Sequence, residues 1–224
     1  MPSPRVDAEH LLAGALGIGR LDVYLEYDRA LTEAERAGAR ELVRRRGARE
    51  PLAYVIGEWG FRRLTLTVDR RVLVPRPETE VVVERALELV AALDDPDVLD
   101  AGTGSGAIAL AIADEHPGAV VTAIDASEDA LAVAAVNLER TGLGSRVRQL
   151  RHDFRAGLPA GPWDVVVSNP PYVDPDEIGI LEPEVRDFEP RDAVVGRGAT
   201  EAVARGAREV VRPGGHLGLE VADG

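Results

Sequence analysis

The chain has 224 residues, 45% of them hydrophobic, enough for one sizeable core and a small satellite. A formal net charge of -13 repels phosphate backbones and anionic membrane surfaces, which disfavours duplex DNA and a membrane as partners. The sequence contains no cysteine and no lysine, which removes disulfides, thiol nucleophiles, cysteine-bound metals and Schiff-base chemistry. The N-terminal MPSPRVDAEH has neither signal-peptide regions nor a bilayer-length apolar run, so a cytoplasmic location is expected.

Residues 1–60 read as a helical domain. VDAEHLLAGAL sets Leu11, Leu12, Ala15 and Leu16 on one helix face, and Thr32 with Glu35 has capping-box spacing ahead of a helix reaching Arg46. Arg44 to Arg46 read as a solvated helix face. Residues 61–76 follow as a linker, in which FRRLTLTVDRRVLV alternates apolar and polar residues around Asp69 and predicts a half-buried hairpin. PRPETE then breaks the strand and starts a helix rich in valine and leucine.

Residues 77–224 change pattern to short apolar runs separated by helical stretches: VLDAG, VVTAID, VRQLRHD, WDVVVSNPP and HLGLEVA. Ser127 is placed to N-cap a helix whose Leu131, Ala134, Ala135 and Leu138 share a face and which ends near Gly142. Strands alternating with helices of this length predict an α/β fold, a Rossmann-like doubly wound parallel sheet with helices on both faces.

LDAGTGSGAIAL follows the first of these strands and opens a helix. Glycines 102, 104 and 106 let the backbone turn tightly and approach a ligand, and Asp125 closes the next strand where an acid accepts hydrogen bonds from ribose hydroxyls. The bland alternatives are a ligand-free turn and a carboxylate serving a helix N-terminus. The spacing G-x-G-x-G, one residue short of the dinucleotide fingerprint, favours S-adenosylmethionine over NAD.

Asn-Pro-Pro-Tyr, residues 169–172, follows the fourth strand at the carboxyl edge of the sheet, where ligands of open α/β folds bind. Each proline removes a backbone donor, so the turn presents carbonyl oxygens, and Asn169 adds an acceptor that cannot become charged. Such a turn accepts both protons of a planar –NH2 group, and Tyr172 can stack on it. The four histidines, His10, His116, His152 and His216, lack ligand spacing, so no metal site is expected; Trp59 and Trp163 read as packing residues.

With these motifs on the page, the chain resembles a known family. LDAGTGSGAIAL with NPPY looks like the S-adenosylmethionine-dependent amino-group methyltransferases, and REPLAYVIGEWGF with VLVPRPETE is similar to the release factor N5-glutamine methyltransferases, from about Arg5 to Val221. The resemblance implies a class I methyltransferase domain in which Gly102, Thr103, Gly104, Ser105 and Gly106 surround the methionine part of the cofactor. Asp125 would hold the ribose, Asp153 and Phe154 would border the adenine, and Asp100 would act on the cofactor's amino group through water or backbone. Asn169, Pro170, Pro171 and Tyr172 would grip the glutamine of the GGQ loop of a peptide chain release factor.

The sequence departs from that family in two places. Relatives usually continue past LEVA with a helix and two strands, which predicts that C-terminal strands are missing and the fifth strand lies at an exposed edge; the N-terminal region also reads as lacking a first helix. In EPRDAVVGRGATEAV, Glu189 to Val203, the Glu-Pro is kept but Thr200, Glu201 and Ala202 stand where relatives have Asp-Gly-Leu. Two alternatives stay open at this point: an adenine-N6 methyltransferase of nucleic acid, since an exocyclic amine is equally planar, and a non-catalytic cofactor-binding or release-factor-docking module.

Overall fold

A computed structural model describes residues 3–221; residues 1–2 and 222–224, including the last alanine of the expected HLGLEVA strand, lie outside the described part. The N-terminal region holds four helices, α1 (Pro4–Leu16), α2 (Asp22–Leu25), α3 (Glu33–Gly47) and α4 (Leu52–Ile56). The Thr32 side chain accepts from the Glu35 N–H at 3.2 Å while the Glu35 carboxylate accepts from the Thr32 N–H at 2.8 Å, the reciprocal capping read from the sequence. Leu11 and Ala13 of α1 are buried, and Leu12, Ala15 and Leu16 are half-buried.

Two expectations for this region need correction. The hairpin pairs β1 (Glu58–Phe61) with β2 (Leu64–Thr67), so it turns at Arg62 and Arg63 and not around Asp69. Arg62 adopts a left-handed φ of 50° because its surroundings fix it there: its N–H donates to Glu80 at 2.9 Å and its guanidinium pairs with Glu115. Asp69 instead makes a local turn by accepting from the Arg71 N–H at 3.0 Å. Arg46 is likewise not solvated, since α3 turns it inward against Asp7 at 2.7 Å, Glu184 at 2.9 Å and the Glu50 carbonyl at 3.0 Å. Arg44 does stay exposed and pairs with Glu41.

The second region is a five-stranded parallel sheet in the order β5-β4-β3-β6-β7. Its strands are β3 (Asp97–Ala101), β4 (Val120–Asp125), β5 (Val147–Arg151), β6 (Trp163–Ser168) and β7 (Val211–Leu219). The crossovers carry helices α5 (Pro77–Val90), α6 (Ala107–Glu115), α7 (Glu128–Thr141), α8 (Pro183–Phe188), α9 (Arg191–Val194) and α10 (Ala199–Val210), with α5 preceding β3. Except across the irregularity between Trp163 and Val165 in β6, alternate residues of the strands feed opposite layers. Val98, Val121, Val147, Val165 and Val167 meet α5 and α6 on one face, while Leu99, Ile124, Trp163 and Val166 meet Val203 and Ala207 of α10 on the other.

Helices on both faces explain why β6 reads as an unbroken Val165-Val166-Val167 run: each valine is buried, and full burial of such a side chain is worth about 1.5–3 kcal/mol. Helix α6 is buried from Ala107 to Ala113, as expected of a helix apolar on all sides. Ser127 caps α7 by accepting from the Ala130 N–H, and Gly142 ends that helix in the left-handed region.

Strand β7 begins five residues before the expected HLGLEVA run, because Pro213, Gly214 and Gly215 conceal its first half behind turn chemistry and a register shift opposite Trp163 and Val165. Among the described residues β7 pairs on one side only, with β6. A third apolar cluster joins Ala53 and Tyr54 of α4, Val68, Val72 and Val74 to Ala130 and Val133 of α7, so the helical region leans on the sheet domain beside the glycine loop. The buried amide of Asn137 reinforces that junction, accepting from the Thr67 N–H at 2.7 Å and donating to the carbonyls of Thr67 at 3.0 Å and Ser105 at 2.9 Å.

Candidate active site

Two adjoining cavities open at the carboxyl edge of the sheet. The larger, about 700 Å³, is floored by Gly102 to Ser105 and walled by Asp125, Asp153, Phe154, Asn169, Pro171 and the Pro190–Val195 segment. The smaller, about 230 Å³, is lined by Pro170, Tyr172, Val173, Leu181, Val185 and Arg76. Leu73, Asn169, Pro171 and Ala193 belong to both walls, so the Asn-Pro-Pro turn is the partition between them. Its place follows from local tethers: the Ser168 hydroxyl donates to the Ala101 carbonyl at 2.5 Å, and the Glu220 N–H donates to the Ser168 carbonyl at 3.0 Å.

The glycine loop is held by β4. Gly102 and Thr103 both donate their N–H groups to the Ile124 carbonyl at 2.9 Å, and the Asp125 carboxylate accepts from Gly104 and from Ser127, each at 2.9 Å. Burial raises the Asp125 carboxyl above its ordinary range despite these bonds. Asp153 accepts from the Arg155 N–H at 2.8 Å and starts the short turn that carries Phe154.

Two expected cofactor residues stand behind the loop and not on the cavity wall. Gly106 precedes α6 and packs toward Leu110 and Ala134. Asp100 shares the α6 face of β3, is wholly buried, and accepts from the Thr103 hydroxyl at 2.6 Å and the Ala109 N–H at 3.1 Å. Its other oxygen, Oδ1, is buried with no hydrogen-bond partner, and burial pushes its carboxyl up to about 7.

Asn169 is oriented by residues far away in sequence. Its Nδ2 donates to the Thr79 hydroxyl at 3.1 Å, and that hydroxyl donates to Glu220 Oε2 at 2.6 Å. Among the described residues no hydrogen bond reaches Asn169 Oδ1. Pro170 and Tyr172 face the smaller cavity, and burial followed by the charge of Glu220 pushes the Tyr172 phenol up.

Within the Glu189–Val203 segment, residues between Pro190 and Val195 wall the cavities, with Ala193 on both. Glu189 is buried and accepts from Arg76 at 2.6 and 2.7 Å, and Val173 forms a parallel bridge with Val195. Burial pushes the Glu189 carboxyl up, and the Arg76 charge opposes that rise. Gly196 touches the Asn-Pro-Pro turn so closely that a Cβ there would lie 2.2 Å from the Pro171 carbonyl.

Sequence reasoning missed Thr79, Arg76, Glu189 and Glu220 as site residues. A signal existed for Glu220. It follows the last strand at the same carboxyl edge as Asp125 and Asn169, where an acidic residue points to a ligand site.

The residues present fit S-adenosylmethionine. A Cβ on Gly104 would meet nothing within 4 Å, so the loop backbone leaves open space at the cavity floor, and the carboxylates of Asp125 and Asp153 suit hydroxyl and ammonium groups while Phe154 suits a planar base. Among the described residues no helix is long and apolar enough to cross a membrane.

Fold and cavities together define an S-adenosylmethionine-dependent methyltransferase with a Rossmann-like sheet. Residues 81–181 match the Methyltransferase small domain model and residues 1–57 the PrmC N-terminal domain model. The chain belongs to the release factor glutamine methyltransferase family: it is 45% identical to the release factor glutamine methyltransferase of Rhodopirellula baltica over 98% of this chain and 77% of that one. The Chlorobaculum tepidum protein of the same name is 44% identical over 99% and 80% of the two chains. Among solved structures, the hMettl16 catalytic domain in complex with MAT2A 3′UTR hairpin 6 shares the fold at a TM-score of 0.54 and 14% identity, covering 66% of this chain and 58% of that one.

Proposed function

We propose that this protein methylates the side-chain amide nitrogen, N5, of the glutamine in the GGQ motif of peptide chain release factors. The reading is carried by Asn169, whose amide is held through its NH2 end so that Oδ1 is left as an acceptor on the partition between the two cavities. Membership of the family supports the substrate. The cytoplasm is the location that goes with such a substrate.

On this reading the larger cavity holds S-adenosylmethionine, which supplies a methyl group made electrophilic by a sulfonium. Gly102 to Ser105 cradle its methionine part, Asp125 accepts from the ribose hydroxyls, and Asp153 and Phe154 border the adenine. The smaller cavity holds the glutamine side chain. Asn169 Oδ1 and the Pro170 carbonyl accept its two N–H protons, and Tyr172 stacks on the amide plane.

A glutamine nitrogen is a weak nucleophile because its lone pair is delocalised into the carbonyl. Alignment of the nitrogen with its target is therefore the first contribution of the site, worth up to about 7–11 kcal/mol in ideal cases. As the nitrogen gains a bond its N–H groups become more acidic, so the acceptors at Asn169 and Pro170 hold the transition state more tightly than the ground state. The surplus proton leaves through a carbonyl or water, with no dedicated base.

The test is incubation with labelled S-adenosylmethionine and either a release factor or duplex DNA. Label on the release factor, lost when its GGQ glutamine is changed to alanine, is the expected result. Label on DNA would favour the amine-methylating nucleic-acid enzyme, which the net charge of -13 opposes. Label on neither would leave a cofactor-binding module.

A further inference from the structure

Resting on the amide-methylation reading, we infer that Thr79 and Glu220 are positioning residues of the transfer, acting on the substrate only through the orientation of Asn169. A carboxamide is nearly symmetrical in shape, so packing alone does not decide whether it presents C=O or NH2 to a neighbour. For a guest –NH2 group the two orientations are opposite in effect: Oδ1 accepts from it, while Nδ2 would set donor against donor.

The chain of bonds removes that ambiguity by chemistry. A carboxylate oxygen has only lone pairs to offer, so Glu220 Oε2 accepts a hydrogen bond from the Thr79 hydroxyl at 2.6 Å. The Thr79 oxygen then has only lone pairs to offer Asn169, and at 3.1 Å it selects the NH2 end. Charge-assisted bonds are roughly twice as strong as neutral ones, so the anchor at Glu220 steadies the whole series.

The placement supports this role. Thr79 is 4% exposed in the first turn of α5, and Glu220 directly follows β7, its own N–H held by the Ser168 carbonyl next to Asn169. Thr79 touches the larger cavity, but its hydroxyl is committed at both ends. No other residue described near Asn169 discriminates its two ends.

Kinetics and side-chain NMR on the full chain test the inference with Thr79→Val, Thr79→Ser, Glu220→Leu and the Thr79→Val/Glu220→Leu double variant. Thr79→Val is expected to lower kcat on a release factor about 10- to 100-fold, the scale of a misplaced reacting group. Cofactor Kd should stay within about twofold on the same positioning argument, and Thr79→Ser should restore the rate. Glu220→Leu should match Thr79→Val, and the double variant should lose no more than either single one, since both act through one amide.

The Asn169 side-chain NH2 resonances, assigned by their loss in Asn169→Ala, give a readout independent of substrate. They should shift and exchange faster in Thr79→Val and Glu220→Leu and return in Thr79→Ser. Multiplicative losses in the double variant, a loss confined to cofactor Kd, or unmoved Asn169 resonances would overturn the inference. Should the wild type fail to methylate a release factor while the resonances respond as described, the substrate reading falls and the positioning chain stands.

Discussion

The two cavities share Asn169 and Pro171 but are held in place by different means. The larger stands on the edge of the sheet: Gly102, Thr103, Gly104 and Asp125 are fixed by bonds between neighbouring strands β3 and β4. The smaller is assembled from loops and short helices tied together by long-range pairs, among them Arg76 with Glu189, Arg46 and Arg49 with Glu184, and Val173 with Val195. One pocket inherits its shape from regular secondary structure, and the other depends on a few ion pairs between distant segments. Substitutions should therefore separate cofactor binding from turnover and substrate binding.

The sharpest break is Asn169→Ala. Loss of an acceptor that strengthens in the transition state should lower kcat by about 10²–10³-fold, while calorimetry finds the cofactor Kd within a few fold. Equal losses in both quantities would merge the cavities into one functional unit.

A pH experiment probes the support behind the larger cavity. Asp100 has its carboxyl raised by burial from 3.8 to about 7, so its contribution to stability is fully present below about pH 4 and is lost as pH rises through about 7. Asp100→Asn does not titrate. Urea unfolding without cofactor should show the variant gaining on the wild type between about pH 4 and 7 and levelling off above that, with a few kcal/mol as the upper limit.

Asp125→Ala should do the reverse of Asn169→Ala. Removing a charged acceptor from the glycine loop and its ligand should cost about 1.5–3 kcal/mol of cofactor affinity, with the rate at saturating cofactor much less affected.

The mildest change concerns the loop-built pocket. Glu184→Ala leaves Arg46 buried but still paired with Asp7, so the cost should be about 1–2 kcal/mol, below the roughly 3–5 of an isolated buried pair. Because Val185 lines the smaller cavity, KM for the release factor should rise while cofactor Kd is unchanged.

The division between the pockets matches what could be read in the sequence. Strands β3 to β6, the later part of β7, the caps at Thr32 and Ser127, and the loop 102–106 were legible because each is encoded by residues within one element or its turn. Asn169 stood out for the same reason, as part of a local motif. The hairpin turn was misplaced because Arg62 is held by Glu80 and Glu115, and Arg46 was misread because its partners Asp7 and Glu184 lie on other elements.

By itself the sequence determined the doubly wound sheet, the glycine loop and a donor-free turn at the edge of β6, since periodicity and backbone chemistry act over a few residues. Only the tertiary structure decided which end of the Asn169 amide faces the shared wall, and that Thr79, ninety positions earlier, and Glu220 beyond β7 choose it. The physical reason is that hydrogen-bond direction belongs to a pair: a lone residue carries both donor and acceptor, and folding alone supplies the neighbour that selects between them.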